Sequence, residues 1–460
     1  MQDALSSAGV ETQSVSARLA DFVTGLQPDE VTPAALTWAS HALLDWTGVS
    51  LAARDEPVVA MLLADAETTS DDGACTLVGQ TARAGLYDTA LINGAAGHAL
   101  DYDDVIRAMG GHPSVPTIPV ALALAETRGH SGREMLCAIV AGFEVGCALG
   151  RMSGTSHYER GFHNTATFGT FAAAATAGRL LGLDAEQMQR AFGLAASLAS
   201  GLKCNFGTMT KPMHAGLAAQ SGLRAARLAA AGFTSNPDAL EVAQGFVPTQ
   251  VPEFDTTVWS DPRMSGEGFA IEQTLFKYHA ACYGTHGVLE AIGKLRREHG
   301  VSLDDLKAMR LFVNTRSAGN CNQPDPKTGL ALKFSIRHLA TAALAGEDTA
   351  ALDTYSAETA TNPTYVAARD RVTGEFEPER DRMTARVELD TTDGRTLSAD
   401  ADVGVPAADT EDQWRKLAAK FSSLSEPLIG AERADAIKGA IAGMSEATDV
   451  SRFVALLARG

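Results

Sequence analysis

The six cysteines, at positions 75, 137, 147, 204, 282 and 321, contain no CxxC spacing. That argues against a zinc ribbon or a clustered iron–sulfur site and fits reduced thiols. Basic residues are also in short supply. Lys and Arg number 38 against 56 Asp and Glu, a net charge of −18, so neither a nucleic acid nor an anionic membrane is expected as a partner. An anionic small molecule remains compatible, provided that cations cluster locally. No uninterrupted apolar stretch is long enough to span a bilayer. The N-terminus, MQDALSSAGVETQS, lacks both basic residues and an apolar run and reads as a short mobile tail. Internal repeats and low-complexity linkers are missing as well. The expectation is a soluble, cytoplasmic protein.

What is present is ample material for a core: 460 residues, 45% of them hydrophobic, enough for two or three domains. Apolar residues at three- and four-residue spacing predict amphipathic helices from Ser14 to about Ala53, with Pro33 placed for a first turn. A short extended segment is expected at 74–79. Helices follow at 86–104, 114–127, 131–153 (with Ser131 and Glu134 as a capping pair), 164–182, 184–199 and 211–232. Alanine and glycine dominate these helices, which lets their axes approach closely. After about residue 266 the pattern changes. KAMRLFVNT (307–315) predicts a strand, MTARVELDTTDGRTLSADADVGV (383–405) a hairpin around Asp-Gly, and 285–299 and 331–345 predict helices. The tail is helical again. The predicted class is mainly α: a large all-helical domain (1–266 with 406–460) and a smaller α+β lid domain (267–405).

Candidate site residues fall in four segments. NGAAGHALDYDDVIRAMGGHPS (93–114) gathers His98, Asp101, Asp103, Asp104 and His112 within apolar surroundings. A helix over 86–104 would put His98, Asp101 and Tyr102 on one face. The plainer alternative is a helix end with a solvated acidic cap and one buried histidine. ERGFHNTATFGTF places His163 just before a buried helix, where the dipole disfavours its protonated form. NFGTMTKPMHAG sets Lys211 and His214 at a helix start, whose N–H groups can receive a carboxylate. FKYHAACYGTHG packs Lys277, His279, Cys282, Tyr283 and His286 into ten residues. A cleft between the two predicted domains is the natural place for these to meet.

Together these segments, in this order and spacing, resemble the MmgE/PrpD family, which includes 2-methylcitrate dehydratase, cis-aconitate decarboxylase and iminodisuccinate epimerase. The resemblance rests on NGAAGHALDYDD, GHPSVPTIPVALALAE, GFHNTATFGTFAAAA, NFGTMTKPMHAGLAAQSGLRAARLAAAGFT and K-x4-C-x2-TH. It implies a homodimer, a helical domain with an α+β lid, and metal-free, cofactor-free chemistry on small polycarboxylates. The catalytic positions it implies are Asp101, His112, His163, Lys211 and His286. His98, Asp104, His214, His279, Cys282 and Tyr283 are expected to help bind substrate. Two departures stand out: Cys282 falls where the decarboxylase branch places a histidine, and Asn320 near where it places a tyrosine. NFGTMTKPMH and the stretch between DYDD and GHPS look more like the epimerase branch.

All these reactions need an anion next to a carboxylate to be held. Lys211 and His112 are expected to bind substrate carboxylates, His163 and His286 to move protons, and Asp101 to orient a histidine or act as base. The readings are, in order, a lyase acting as dehydratase or decarboxylase, an epimerase, and a metal-dependent or purely binding protein.

Overall fold

Small residues set the geometry of the helical part. A Cβ on Gly216 would sit 2.1 Å from the carbonyl of Leu91, one on Gly94 2.8 Å from the Cα of Gly216, and one on Gly222 2.5 Å from the carbonyl of Thr170. The helices Leu86–Ala99, Asn164–Leu181 and Thr210–Ala230 therefore pack with their backbones in contact, a separation that no larger residue at these positions permits. The computed structural model describes residues 13–66, 68–69 and 75–459. The expected N-terminal tail up to residue 12 and the first residue of the expected 74–79 segment lie outside the described residues. Within that segment a strand covers only Cys75–Thr76.

Around this trio pack Pro33–Ala52, Ser114–Arg128, Gly132–Ser153 and Ala185–Leu198. Thr32 caps the first of these, accepting from the Ala35 N–H at 3.1 Å, with Pro33 at the first position. Ser131 and Glu134 form the expected capping box. Gly132–Ser153 is apolar and long enough to cross a membrane, but it is buried in this core.

The second core surrounds a four-stranded sheet. Leu306–Asn314 runs parallel to Val372–Glu377 on one side and antiparallel to Thr384–Thr391 on the other, and Thr396–Asp402 completes the order. The hairpin turns where expected, with Gly394 at a φ of 91° that suits glycine. Ala385, Val387 and Leu389 alternate inward, and the helix His286–His299 lies against them. The expected helix at 331–345 is split into Gly329–Leu332 and Ile336–Ala345. The strand Val372–Glu377 was not foreseen. The tail helix Thr410–Ile429 packs on Pro33–Ala52, with Phe421 against Gly48.

The chain passes from one core to the other near residue 277, since Phe276 is buried with the helices and Ala280 with the sheet. Just before this crossing a two-stranded ribbon pairs Val105–Ile106 with Thr274–Leu275. It ties the DYDD segment to the chain that carries Lys277.

Candidate active site

Close packing of the three central helices brings three helix ends together. His98 lies in the last turn of Leu86–Ala99, His163 is the residue before Asn164–Leu181, and Lys211 and His214 lie in the first turns of Thr210–Ala230. The first helix stops at Ala99 rather than continuing to 104. Asp101 therefore does not share a helix face with His98. It sits in the turn beyond with a φ of 52°, the one non-glycine with positive φ among the described residues. Asp tolerates that region better than most residues, yet the conformation is strained and needs support.

The strained turn presents the Asp101 carboxylate to two lysines. Lys211 Nζ lies 2.8 Å and Lys277 Nζ 2.9 Å from Asp101 Oδ1. Burial pushes the Asp101 pKa up, but the fields of Lys211 and Lys277 outweigh it and hold the carboxyl well below its usual range. Burial likewise pulls Lys211 down, and Asp101 more than offsets this, so the ammonium is held charged. The group that touches histidines is Asp103. His98 Nδ1 lies 2.9 Å from its Oδ2, and His112 Nδ1 is also 2.9 Å away, though out of hydrogen-bond alignment. Burial, the dominant influence, lowers His98 to about 4. His98 is thus neutral near pH 7 and donates its Nδ1–H to an ionised Asp103, so this contact is a hydrogen bond to a carboxylate rather than a salt bridge. His163 Nδ1 approaches His214 Nδ1 at 3.3 Å, and burial pushes His163 well below the usual range.

A cavity of about 1410 Å³ opens from this cluster toward the loops that follow the strands Leu306–Asn314 and Val372–Glu377. Asp101, His112, His163, Lys211, Cys282 and Tyr283 line it, as do Lys277 and Asn320. Arg316, Arg380, Arg382 and Lys203 also line it, Arg316 paired with Glu159 and Arg380 with Glu377. In a chain of net charge −18, this is the local cationic cluster an anionic ligand requires.

The other candidates lie behind these walls. His98 is fully enclosed between Asp103 and the rings of His112 and His163. Asp104 accepts from Ser114 Oγ at 2.6 Å, and burial raises its carboxyl well above the usual range. His214 stands behind His163. His279 bonds Thr349 Oγ1 at 2.7 Å. His286 stacks on Tyr283 with ring centres 4.7 Å apart, and its Nε2 is 3.3 Å from the Ala281 carbonyl. Tyr283 in turn donates to the Val403 carbonyl.

Sequence reasoning did not single out Lys277 as the second partner of Asp101, or Asp103 as the histidine acceptor. For Lys277 the available signal was its place in the same unusual segment as Cys282. For Asp103, among three nearby carboxylates, there was none.

His98, Asp101, Asp103 and His112 have ligand atoms within 4.8 Å of one another, a spacing that suits a divalent ion. Part of their donor capacity is committed, however: Asp101 Oδ1 is shared by two ammonium groups and His98 Nδ1 bonds Asp103, while His98 Nε2 and His112 Nδ1 have no hydrogen-bond partner among the described residues. A cation here would sit beside the charges of Lys211 and Lys277. The residues fit a metal poorly.

Residues 17–257 match the MmgE/PrpD N-terminal domain and residues 279–445 the MmgE/PrpD C-terminal domain. A cis-aconitate decarboxylase-like protein of Aspergillus oryzae is 27% identical, over 96% of this chain and 97% of its own length. The cis-aconitate decarboxylases of Mus musculus and Aspergillus terreus are each 24% identical, over 97% and 96% of this chain and 93% and 96% of their own.

Proposed function

Because this chain belongs to the MmgE/PrpD family, we propose that it is a cofactor-free lyase that decarboxylates or dehydrates a small di- or tricarboxylate. The observation that carries this reading is the pair of ammonium groups on Asp101, set beside His112 and His163 on the wall of a cation-lined cavity. Loss of CO2 from such a substrate, or removal of the α-proton that precedes departure of hydroxide in a dehydration, places negative charge on a carbon next to a remaining carboxylate. Fixed ammonium groups in a site of low dielectric stabilise that charge with little reorganisation. In this reading Lys211 and His112 hold carboxylates and neutral His163 takes up or returns the proton. Asp101 keeps Lys211 charged and holds both lysine side chains in place. His286 acts through Tyr283, on which it stacks, and the sheet-bearing part serves as the lid over the cavity.

A second reading is epimerisation of an iminodisuccinate-like dicarboxylate. The resemblance of NFGTMTKPMH to the epimerase branch favours it, and Cys282 and Asn320, which border the cavity at or near positions where the resemblance places a decarboxylase histidine and tyrosine, count against decarboxylation. Proton NMR of mixtures with cis-aconitate, citrate, methylcitrate and iminodisuccinate in D2O separates the readings. Loss of CO2 or water supports the lyase. Exchange of one C–H without net conversion supports the epimerase, and no change in any mixture defeats both. The family resemblance also carries a homodimer, and a sedimenting species of only 48.1 kDa would contradict it.

A further inference from the structure

Three consecutive backbone carbonyls, those of Leu100, Asp101 and Tyr102, each receive a buried lysine ammonium from a different part of the chain. Lys333, in the break between Gly329–Leu332 and Ile336–Ala345, reaches Leu100 O at 2.6 Å. Lys277 reaches Asp101 O at 2.6 Å. Lys420, in the helix Thr410–Ile429, reaches Tyr102 O at 2.7 Å, Lys277 O at 2.9 Å and Asp45 Oδ1 at 2.6 Å. Lysines are almost never this buried unless paired, and Lys277, Lys333 and Lys420 are 1%, 7% and 8% exposed.

Carbonyls just past a helix C-terminus have no partner within the helix and attract cations. One lysine, or the backbone of a following turn, would satisfy that need. Burying three ammonium groups against three successive carbonyls is a costly arrangement, because each cation must leave water. What it secures is the one turn that the chain could not hold by local preference: the positive φ of Asp101. The carbonyls fix the peptide planes on either side of Asp101, and those planes set the direction of its side chain toward Lys211. Only Lys277 also touches the carboxylate and borders the cavity. Lys333 and Lys420 touch backbone and are not among the residues lining it.

We propose that Lys333 and Lys420 are positioning residues of the site, which with Lys277 clamp the Leu100–Tyr102 turn so that the Asp101 carboxylate is held against the Lys211 ammonium. The inference rests on the reading of Asp101 and Lys211 as the working pair. Lys420 also holds the carbonyl of Lys277 itself, so a helix near the C-terminus braces both segments that meet at Asp101. Asp45, its counter-ion, has no other ion-pair partner among the described residues.

Two variants of the full chain test this: Lys333→Met, and the charge-balanced pair Asp45→Asn with Lys420→Met. The first readout does not depend on turnover. Trace acetylation with acetic anhydride at about pH 9, followed by mass spectrometry, reports how strongly each lysine is held as ammonium. In the parent, Lys211 should label slowly. In either folded variant the carboxylate swings away and Lys211 labelling should rise about fivefold or more, with lysines remote from the clamp unchanged. The second readout is kinetic, with cis-aconitate as probe: kcat should fall about tenfold or more while KM stays within about twofold, because the substrate contacts remain. Unchanged Lys211 labelling in a folded variant overturns the clamp, as does a uniform rise in labelling of all lysines, which marks general loosening. If one variant does not fold, the other decides. A parent that does not convert cis-aconitate counts against the proposed substrate, and the labelling result then judges the clamp by itself.

Discussion

Lys211 and Asp101, 110 residues apart in sequence, meet at 2.8 Å with both side chains close to fully buried. The ammonium borders the cavity, so its charge is available to an anion while Asp101 keeps it from being lost. Lys211→Met retains much of the stem and removes the charge, and Asp101 still has Lys277. The expected outcome is a folded protein whose kcat/KM on its carboxylate substrate falls by about 2 to 4 kcal/mol of transition-state binding. Steady-state kinetics beside a thermal melt would check it, and a folded variant with parental turnover would take Lys211 out of the site.

Asp101→Asn has a different signature. The amide leaves two buried ammonium groups without their anion, so the variant should be less stable at neutral pH. Asp101 has a depressed pKa in the folded protein, so its contribution is fully present above the unfolded value of about 3.9 and is lost as pH falls through the folded one. The gap in melting temperature between parent and variant should therefore be constant from about pH 7 to 5 and should narrow only below about pH 4. A gap that closes already near pH 6 would mean that the pair is not as strongly coupled as its distances indicate.

Much of the fold was legible because its signal is local. Alanine- and glycine-rich amphipathic runs gave helix positions within a few residues, and the capping pair Ser131 and Glu134 is formed as expected. The strand Val372–Glu377 escaped because VTGEFE is short, polar and at a sheet edge, with one residue in six buried. In the site, residues from the four expected segments come together, and one local geometry differs from the expectation. Periodicity carried the helix through Asp101, whereas tertiary contacts end it at Ala99 and bend the chain to positive φ. Lys277 reaches Asp101 across 176 residues. No spacing rule reports such a contact.

His98 gives a second test in pH. Its folded pKa is lowered to about 4, against about 6.5 when unfolded, so between these values the unfolded chain binds a proton that the folded one does not. Stability from this group is complete above about pH 6.5 and falls as pH drops toward 4, by at most about 1.4 kcal/mol per pH unit. His98→Asn keeps an N–H for Asp103 and does not titrate. Its stability should decline less than the parent's over that interval in denaturant titrations at a series of pH values, although His163 and His286, also lowered, will leave some slope in both. Equal slopes would mean that His98 is not held neutral.

The cluster of His98, Asp101, Asp103 and His112 invites the objection that it is a metal site, and removal of metal decides the matter. An ion seated there needs carboxylate oxygens and imidazole lone pairs facing it. Asp101 Oδ1 faces two lysines, and the His98 Nδ1 carries the proton it donates to Asp103. Freeing these donors would require Lys211 and Lys277 to move or lose their protons, and Asp101 opposes this for Lys211. Exhaustive chelation followed by dialysis should therefore leave turnover within about twofold of the untreated protein and the melting temperature unshifted, since nothing that stabilises the native state has been withdrawn. Activity lost on chelation and restored by one divalent ion would show that the lysines yield to a cation, and would move the metal-dependent reading ahead of the cofactor-free one.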